Sequence, residues 1–285
     1  MQQSNLLTVF LPIALGIIML GLGLSLTIED FKRIVKYPKA AFIGLFCQMI
    51  LLPAVCWGIA VAFGLAPALA VGLMLLAASP GGATANLYSH LSDGDVALNI
   101  TLTAVNSLLS LFTLPLIVNL SLLYFVGAEK SIPMQFGKIV EVFAIVLLPV
   151  SIGMIIRRFA PAFANKMDKP VKIASAILLV LVIAGATLKE KDNLGIFIQQ
   201  VGLPVLVFNL LSMFVGYTVP LMLRVERRQA IAIGMEIGIH NGTLAIYIAL
   251  NVLQDSAMSI PPALYGLLMF FTAAAFGYWV KRKSM

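Results

Sequence analysis

Two stretches of the sequence carry residues that could bind a cation in an apolar environment. One contains Glu236 and His240 within MEIGIHNGT, and the other contains Gly81 and Gly82 within SPGGATAN. Both stretches interrupt long apolar runs. Hard cations take oxygen ligands from carboxylates, amides and backbone carbonyls, and these two stretches are rich in all three. The sequence therefore predicts a buried site for a cation or a proton.

Glu236 differs from the other acidic residues in its depth. Of the twelve acidic residues, ten lie in predicted loops or at span ends, and Glu141 lies about one turn into its span. Glu236 lies deep in an apolar run, with no Lys or Arg at comparable depth. An unpaired carboxylate in hydrocarbon is costly, so Glu236 is predicted to hold a cation or a proton. The alternative is a structural hydrogen bond.

Neutral polar residues in other apolar runs could complete an alkali-cation site. The candidates are Gln48, Asn86, Asn99 and Thr103, together with backbone carbonyls released near Glu236. Taken singly, each such residue is more often an interhelical hydrogen-bonding group than a ligand. Their convergence on two interrupted helices is what favours a sodium site.

Two other metal sites are disfavoured by spacing. Glu236 and His240 are four residues apart and could pair on a continuous helix, but no third ligand and no HExxH motif accompany them. Cys47 and Cys56 are nine residues apart, which places them on opposite faces of a helix. A zinc site, an intramembrane hydrolase and a disulfide are therefore all disfavoured.

The composition predicts a protein embedded in the lipid bilayer. Of the 285 residues 61% are hydrophobic and 11% are charged, whereas soluble domains carry about 25% charged residues. Nine spans of about 20 residues would use roughly 180 residues, so we expect residues 1–285 to form a single transmembrane domain. The net charge of +7 is not clustered on a polar fold, so no nucleic-acid partner is expected.

The apolar runs predict an all-α integral membrane protein with about nine transmembrane helices. The first run is longer than the core of a signal peptide and is interpreted as a retained span. The predicted spans are 6–27, 39–63, 67–91, 95–125, 137–156, 171–188, 195–222, 229–253 and 261–280.

Positive residues predict the orientation of these spans. Fifteen of the 19 Lys and Arg residues follow the first, fifth and seventh spans or end the chain, which puts them on one side. The other side has Lys130, Lys138, Lys189 and Lys191. Basic loops stay in the cytoplasm, so we expect the N-terminus outside and the C-terminus inside, in a plasma or bacterial inner membrane.

Spans three and eight are predicted to be broken. Pro80 cannot donate to the helix ladder, and glycines on both stretches permit unwinding. Freed backbone groups at membrane depth are tolerated where they line a cavity or meet a ligand. Broken helices in corresponding halves indicate a secondary transporter of two inverted repeats, here approximately 6–125 and 137–280.

The helix segments that follow the breaks predict a substrate region. Their N-termini present amide groups and a positive dipole, which suit an anion. Gly81, Gly82 and Asn241 are therefore predicted to lie at a crevice for a small or amphipathic organic carboxylate.

Four sequence stretches together resemble the bile acid:sodium symporter family over nearly the whole chain. They are LGIIMLGLGLSL, GLFCQMILLP, SPGGATANLYSHLSDGDVALNITLTAVNSLLSLFTLP and MEIGIHNGTLAI. The resemblance implies a panel and a core built from two inverted repeats. It also implies that the broken helices cross in the core, with two sodium ions bound behind the crossing.

The resemblance further implies the ligands of each ion. The first sodium site would use Asn86, Asn99, Thr103 and Glu236, with Ala85 where many members have a serine. The second would use Gln48, Glu236, His240 and the backbone carbonyls of Ile237 and Ile239. Many members have glutamine in place of His240, and Met269 and Phe270 replace a His-Asn pair that some bacterial members carry.

The predicted function is therefore sodium-coupled symport of an organic anion by alternating access. Na⁺ is the coupling ion, and no organic cofactor or enzymatic activity is expected. A neutral imidazole is a poor sodium ligand and titrates near neutral pH, so a proton-coupled transporter is an alternative because of His240. An intramembrane enzyme and a passive channel are further alternatives.

Overall fold

The structure is a computed structural model that describes residues 2–82, 84–127 and 136–282. Regular structure in these ranges is helical, apart from an isolated antiparallel bridge between Gly81 and His240. The α-helices are α1 (Gln2–Ser25), α2 (Ile28–Lys32), α3 (Pro38–Ala62), α4 (Pro67–Ala78), α5 (Ala85–Leu91), α6 (Val96–Val126), α7 (Phe136–Phe159), α8 (Pro161–Lys189), α9 (Leu194–Met222), α10 (Arg227–Gly238), α11 (Gly242–Val252) and α12 (Ala257–Arg282).

Six of the described helices are long and apolar enough to cross a membrane, namely α3, α6, α7, α8, α9 and α12. A seventh crossing results if α1 and the segment that follows it, bent by 75°, are counted as one span. This confirms the all-helical membrane fold. The predicted spans 67–91 and 229–253 each consist of two shorter helices, so the total of nine crossings stays a prediction.

One predicted boundary is wrong for a physical reason. Helix α8 begins at Pro161, whereas the sixth span was expected to begin at residue 171. Hydropathy predicts only the part of a helix that lies in the hydrocarbon core of the membrane. The helix itself continues through polar residues as long as its backbone hydrogen bonds are formed. The basic residues Lys166 and Lys169 therefore lie on a helix instead of in a loop.

Helices α1, α7 and α8 pack together, and we call them the three-helix unit. Glycines allow their backbones to approach closely: a Cβ atom on Gly153 would lie 2.6 Å from the carbonyl oxygen of Leu20. A Cβ atom on Gly23 would overlap the carbonyl of Val150. Small residues serve this purpose between membrane helices, where van der Waals contact drives association.

The remaining long helices and the four short helices α4, α5, α10 and α11 form a second group, which we call the crossing unit. Helix α4 ends at Ala78, and we call the segment that begins at Ser79 the first break. Helix α10 ends at Gly238, and we call the segment that begins at Ile239, which has an extended backbone, the second break. The two breaks meet: the Gly82 amide donates to the Ile239 carbonyl at 2.7 Å, and the Asn241 amide donates to the Pro80 carbonyl at 2.9 Å. Both predicted breaks are therefore present.

Three of the loops at helix ends lie together at one end of the molecule, which we call the basic end. The Asp95 amide donates to the Arg228 carbonyl at 2.9 Å, and Lys281 pairs with Asp93 at 3.4 Å. Arg227 also donates to the carbonyl of Val280. These contacts bring together the loop before α6, the start of α10 and the end of α12.

We expect Gly153→Ala to lower the thermal unfolding temperature, because the new methyl group would push α7 away from α1. Overpacking of this kind costs about 1–3 kcal/mol. Thermal unfolding of the purified protein in detergent measures the effect. Gly58→Ala is the matched control, since a Cβ atom there meets nothing within 4 Å. Equal unfolding temperatures for the two variants would contradict the close α1–α7 packing.

Candidate cation site at the helix crossing

Glu236 lies near the end of α10 and is 1% exposed. Its Oε2 atom accepts a hydrogen bond of 2.6 Å from Thr103 Oγ1 on α6. Its Oε1 atom is buried without a hydrogen-bond partner. None of the ion pairs among the described residues includes Glu236. The buried carboxylate thus has one oxygen that could accept a further donor or a cation.

Gly81 packs directly against this carboxylate. A Cβ atom built on Gly81 would overlap the Oε1 atom of Glu236. Gly81 lies beside the carboxylate because the two breaks are bridged at Gly81 and His240. The glycine is therefore needed for the approach of the first break to Glu236. Its predicted place at the substrate crevice stays a prediction.

Asn99 links α6 to the helix that carries Glu236. Its Nδ2 atom donates to the Ala232 carbonyl at 2.7 Å, and its Oδ1 atom is buried without a hydrogen-bond partner. Thr103 lies one helical turn further along α6 and also contacts the Asn99 carbonyl oxygen at 3.1 Å. One face of α6 thus contributes two side chains to the region around α10.

Gln48 reaches the first break from α3. It lies in a π-helical turn, Cys47–Leu51, and such turns inside α-helices occur frequently at functional sites. Its Nε2 atom donates to the Ser79 carbonyl at 3.0 Å, which satisfies a backbone group that the end of α4 leaves free. Its Oε1 atom is buried without a hydrogen-bond partner.

The buried oxygens without hydrogen-bond partners fit a hard cation. Four residues predicted as sodium ligands have such an atom: Gln48 Oε1, Asn86 Oδ1, Asn99 Oδ1 and Glu236 Oε1. Buried polar atoms are normally hydrogen-bonded, so several orphaned oxygens near two helix breaks are unusual. A carboxylate and amide oxygens are ligands that a hard alkali cation accepts. The residues present therefore suit sodium.

His240 lies in the second break, beyond the end of α10. Its ring stacks on Phe208 at a centroid distance of 5.9 Å and meets the edge of Tyr265 at 5.3 Å. Its Nδ1 atom lies 3.4 Å from the Ser79 carbonyl oxygen, and its Nε2 atom is buried without a partner. Because α10 ends at Gly238, Glu236 and His240 do not share a continuous helix. Within the described ranges, no group of three or more His, Cys, Asp or Glu residues could hold a metal.

Two backbone carbonyls near Glu236 were also predicted as ligands. The Ile239 carbonyl already accepts the Gly82 amide, so one lone pair is left for a cation. Ile237 is buried in the last turn of α10, where helix carbonyls lose their intrahelical partners.

Asn241 has a structural role that the sequence prediction did not include. Its Oδ1 atom caps α11 by accepting from the Leu244 amide at 3.1 Å. The backbone amides of Gly82 and Asn241, two residues predicted to lie at the substrate crevice, are used by the contact between the two breaks. These amides therefore hold the crossing together.

Sequence reasoning missed Asn209 and Tyr265. Asn209 Nδ2 and Tyr265 OH both donate to the carbonyl of Gly238, at 3.3 and 2.8 Å. They satisfy the last carbonyl of α10, and Asn209 Oδ1 is a further buried oxygen without a partner. A lone polar residue in an apolar span usually indicates helix packing, so the sequence carried no signal that separated these two.

We expect Gly81→Ala to remove any stabilisation of the protein by sodium, since the new methyl group would displace the Glu236 carboxylate. Thermal unfolding with and without sodium chloride measures this, with choline chloride as the ionic-strength control. Gly58→Ala should keep the wild-type response. A full sodium response in Gly81→Ala would show that the carboxylate does not need this close approach.

An all-helical membrane protein with two broken helices whose breaks meet beside a carboxylate, one without an ion pair among the described residues, has the construction of an ion-coupled secondary transporter. Residues 12–197, well over half of the chain, match the Sodium Bile acid symporter family. The chain belongs to this family. Its members are transporters, so the intramembrane enzyme is no longer an alternative. The matched residues end before α10, so Glu236 lies outside them.

Curated relatives extend the similarity to the second half of the chain. The uncharacterized sodium-dependent transporter YocS of Bacillus subtilis is 28% identical over 96% of this chain and 84% of its own length. The human ileal sodium/bile acid cotransporter is 26% identical over 99% of this chain and 81% of its own length. A probable chloroplastic sodium/metabolite cotransporter of rice, BASS2, is 25% identical over 98% of this chain, which spans 65% of that protein.

Proposed function

We propose that the protein is a sodium-coupled symporter of a small organic anion that works by alternating access. The observation that carries the proposal is Glu236, a buried carboxylate with one oxygen lacking a hydrogen-bond partner, at the meeting point of two broken helices. Sodium neutralises this charge and is cotransported. The printed names of the relatives, sodium-dependent transporter and sodium/bile acid cotransporter, support sodium as the coupling ion.

The proposed ligands divide into two sets that share Glu236. The first sodium ion would be held by Asn86, Asn99, Thr103 and Glu236. The second would be held by Gln48, Glu236, His240 and the carbonyls of Ile237 and Ile239. The first ion would link Glu236 to α6, and the second would link it to α3. Gln48 on α3 already contacts the first break at Ser79, and Asn99 on α6 already contacts α10 at Ala232.

Coupling follows from the position of the ion between these elements. A sodium ion that bridges Glu236 and the amide oxygens would hold the two breaks in one arrangement. A substrate on the other face of the crossing, near Gly82 and Asn241, then binds to a pre-ordered surface. Such coupling is reciprocal, because each ligand raises the affinity of the other by the same factor.

The substrate is proposed to be a small or amphipathic organic carboxylate. The relatives are named for bile acids and for metabolites, and these names differ enough to leave the anion itself open. Met269 and Phe270, which stand where some bacterial members carry a His-Asn pair, would make that wall of the crevice apolar, and this favours a substrate with an apolar part.

The proposed architecture has nine crossings in two inverted repeats. The three-helix unit would be the panel, and the crossing unit would be the core that moves against it. The grouping of basic loops at one end supports an external N-terminus and a cytoplasmic C-terminus in a bacterial inner membrane.

We expect sodium to raise the unfolding temperature of the wild-type protein more than potassium or choline does. A ligand that binds the folded state stabilises it by mass action. Glu236→Gln should abolish the sodium-specific rise, whereas Glu29→Gln, a change at an exposed acidic residue, should not. A wild-type sodium response in Glu236→Gln would refute the assignment of the site.

We expect His240→Gln to lower the sodium concentration needed for half-maximal stabilisation, because an amide oxygen is a better sodium ligand than an imidazole nitrogen. A sodium titration of the unfolding temperature at several pH values measures this. The unpartnered Nε2 atom of His240 favours proton coupling as the second candidate. A wild-type protein that responds to pH but not to sodium, and that loses this response in His240→Gln, would support that candidate.

A further inference from the structure

Side-chain hydrogen bonds among the described residues join the three-helix unit to the crossing unit. The hydroxyl of Tyr247 on α11 donates to Glu141 Oε1 on α7 at 2.9 Å, and Lys138 donates to the other oxygen of Glu141 at 2.8 Å. The hydroxyl of Ser256, between α11 and α12, donates to Glu190 just after α8. The two bonds donated by hydroxyl groups cross from one unit to the other, whereas the bond from Lys138 lies within α7.

Both bonds lie at the end of the molecule remote from the basic end, because α12 runs from the loop of Ser256 to Lys281 at the basic end. Glu141 is near the start of α7 and Glu190 follows the end of α8. Because α7 and α8 are consecutive helices joined at Ala160, the start of one and the end of the other lie at the same end. Side-chain bonds at the basic end, such as Arg157 to Asn165 and Lys281 to Asp93, instead join residues of the same unit.

Tyr247 lies on the helix that directly follows the second break. Its side chain is fully buried, and it lies in the same short helix whose N-terminus is capped by Asn241. About 9 Å of helix separates the two residues at 1.5 Å per residue. A displacement of Tyr247 would therefore move the second break, which contacts Pro80 and Gly82.

We infer that Glu141, Tyr247, Glu190 and Ser256 form a latch that closes the end remote from the basic end and has to open during transport. The inference rests on the proposed alternating access. Hydroxyl donors to ionised carboxylates make charge-assisted bonds, which are stronger than neutral ones. Loss of one such bond is expected to shift the balance between closed and open forms about tenfold.

Ala186 offers a position at which opening can be measured. It is buried on α8, one turn after Ile183, whose side chain lies near Gly266 of α12. Ala186→Cys therefore places a thiol at the interface between the units. Cys47 and Cys56 are both buried and would be replaced by alanine to leave this single reporter.

The test is the rate at which a membrane-impermeant maleimide labels Ala186→Cys in vesicles, with the reagent added to each side in turn. Tyr247→Phe and Glu190→Gln are each expected to raise the rate about tenfold from the side remote from the basic end. Tyr278→Phe, which removes an exposed hydroxyl on α12, should leave the rate unchanged. Unfolding temperature and size-exclusion profiles verify that each variant is folded.

Unchanged labelling in both latch variants would overturn the inference, and so would equal acceleration in the Tyr278→Phe control. The labelling assay needs neither sodium nor substrate. If sodium does not raise the unfolding temperature of the wild-type protein, the proposed coupling is refuted. The labelling rates still test the latch in that case. If the latch variants are folded and sodium raises their unfolding temperature normally, but their labelling rate equals that of the wild type, the latch is refuted and the proposed function is not affected.

Discussion

A buried carboxylate without a counter-charge is the constraint on which the rest of the structure depends. Glu236 loses its hydration in the membrane, a loss that hydrogen-bond donors, a proton or a bound cation can offset. Thr103 donates to one of its oxygens, while the other faces Gly81 with no hydrogen-bond partner. Helices α6 and α10 and the first break are therefore held in one place around a single side chain.

Breaking two helices inside a membrane creates free backbone groups, and each break supplies partners for the other. The amides of Gly82 and Asn241 donate to the carbonyls of Ile239 and Pro80. Side chains donate hydrogen bonds to the carbonyl groups at the helix ends. Gln48 donates to Ser79, and both Asn209 and Tyr265 donate to Gly238. Since the same contacts hold the two breaks together and shape the candidate cation site, movement of α11 at Tyr247 would affect both.

Much of the cation site could be predicted from residue types within apolar runs. Gln48, Asn99 and Glu236 each have a buried oxygen available for an ion, as a ligand requires, although their roles in sodium binding stay predictions. The roles of Gly81 and Asn241 could not be foreseen, because a backbone approach to a carboxylate and a helix cap depend on how the breaks meet. Asn209 and Tyr265 were missed for the same reason, since only the path of α10 makes them partners of Gly238.

The sequence by itself determined the helical membrane character, the two breaks and the depth of Glu236, because these depend on local hydropathy and on proline and glycine. It could not determine which helices meet at the carboxylate. Thr103 and Glu236 are 133 residues apart, and their hydrogen bond exists only because α6 packs on α10. The same holds for Glu141 and Tyr247, which are 106 residues apart. Pairing over such separations is decided by packing of whole helices, which no local pattern encodes.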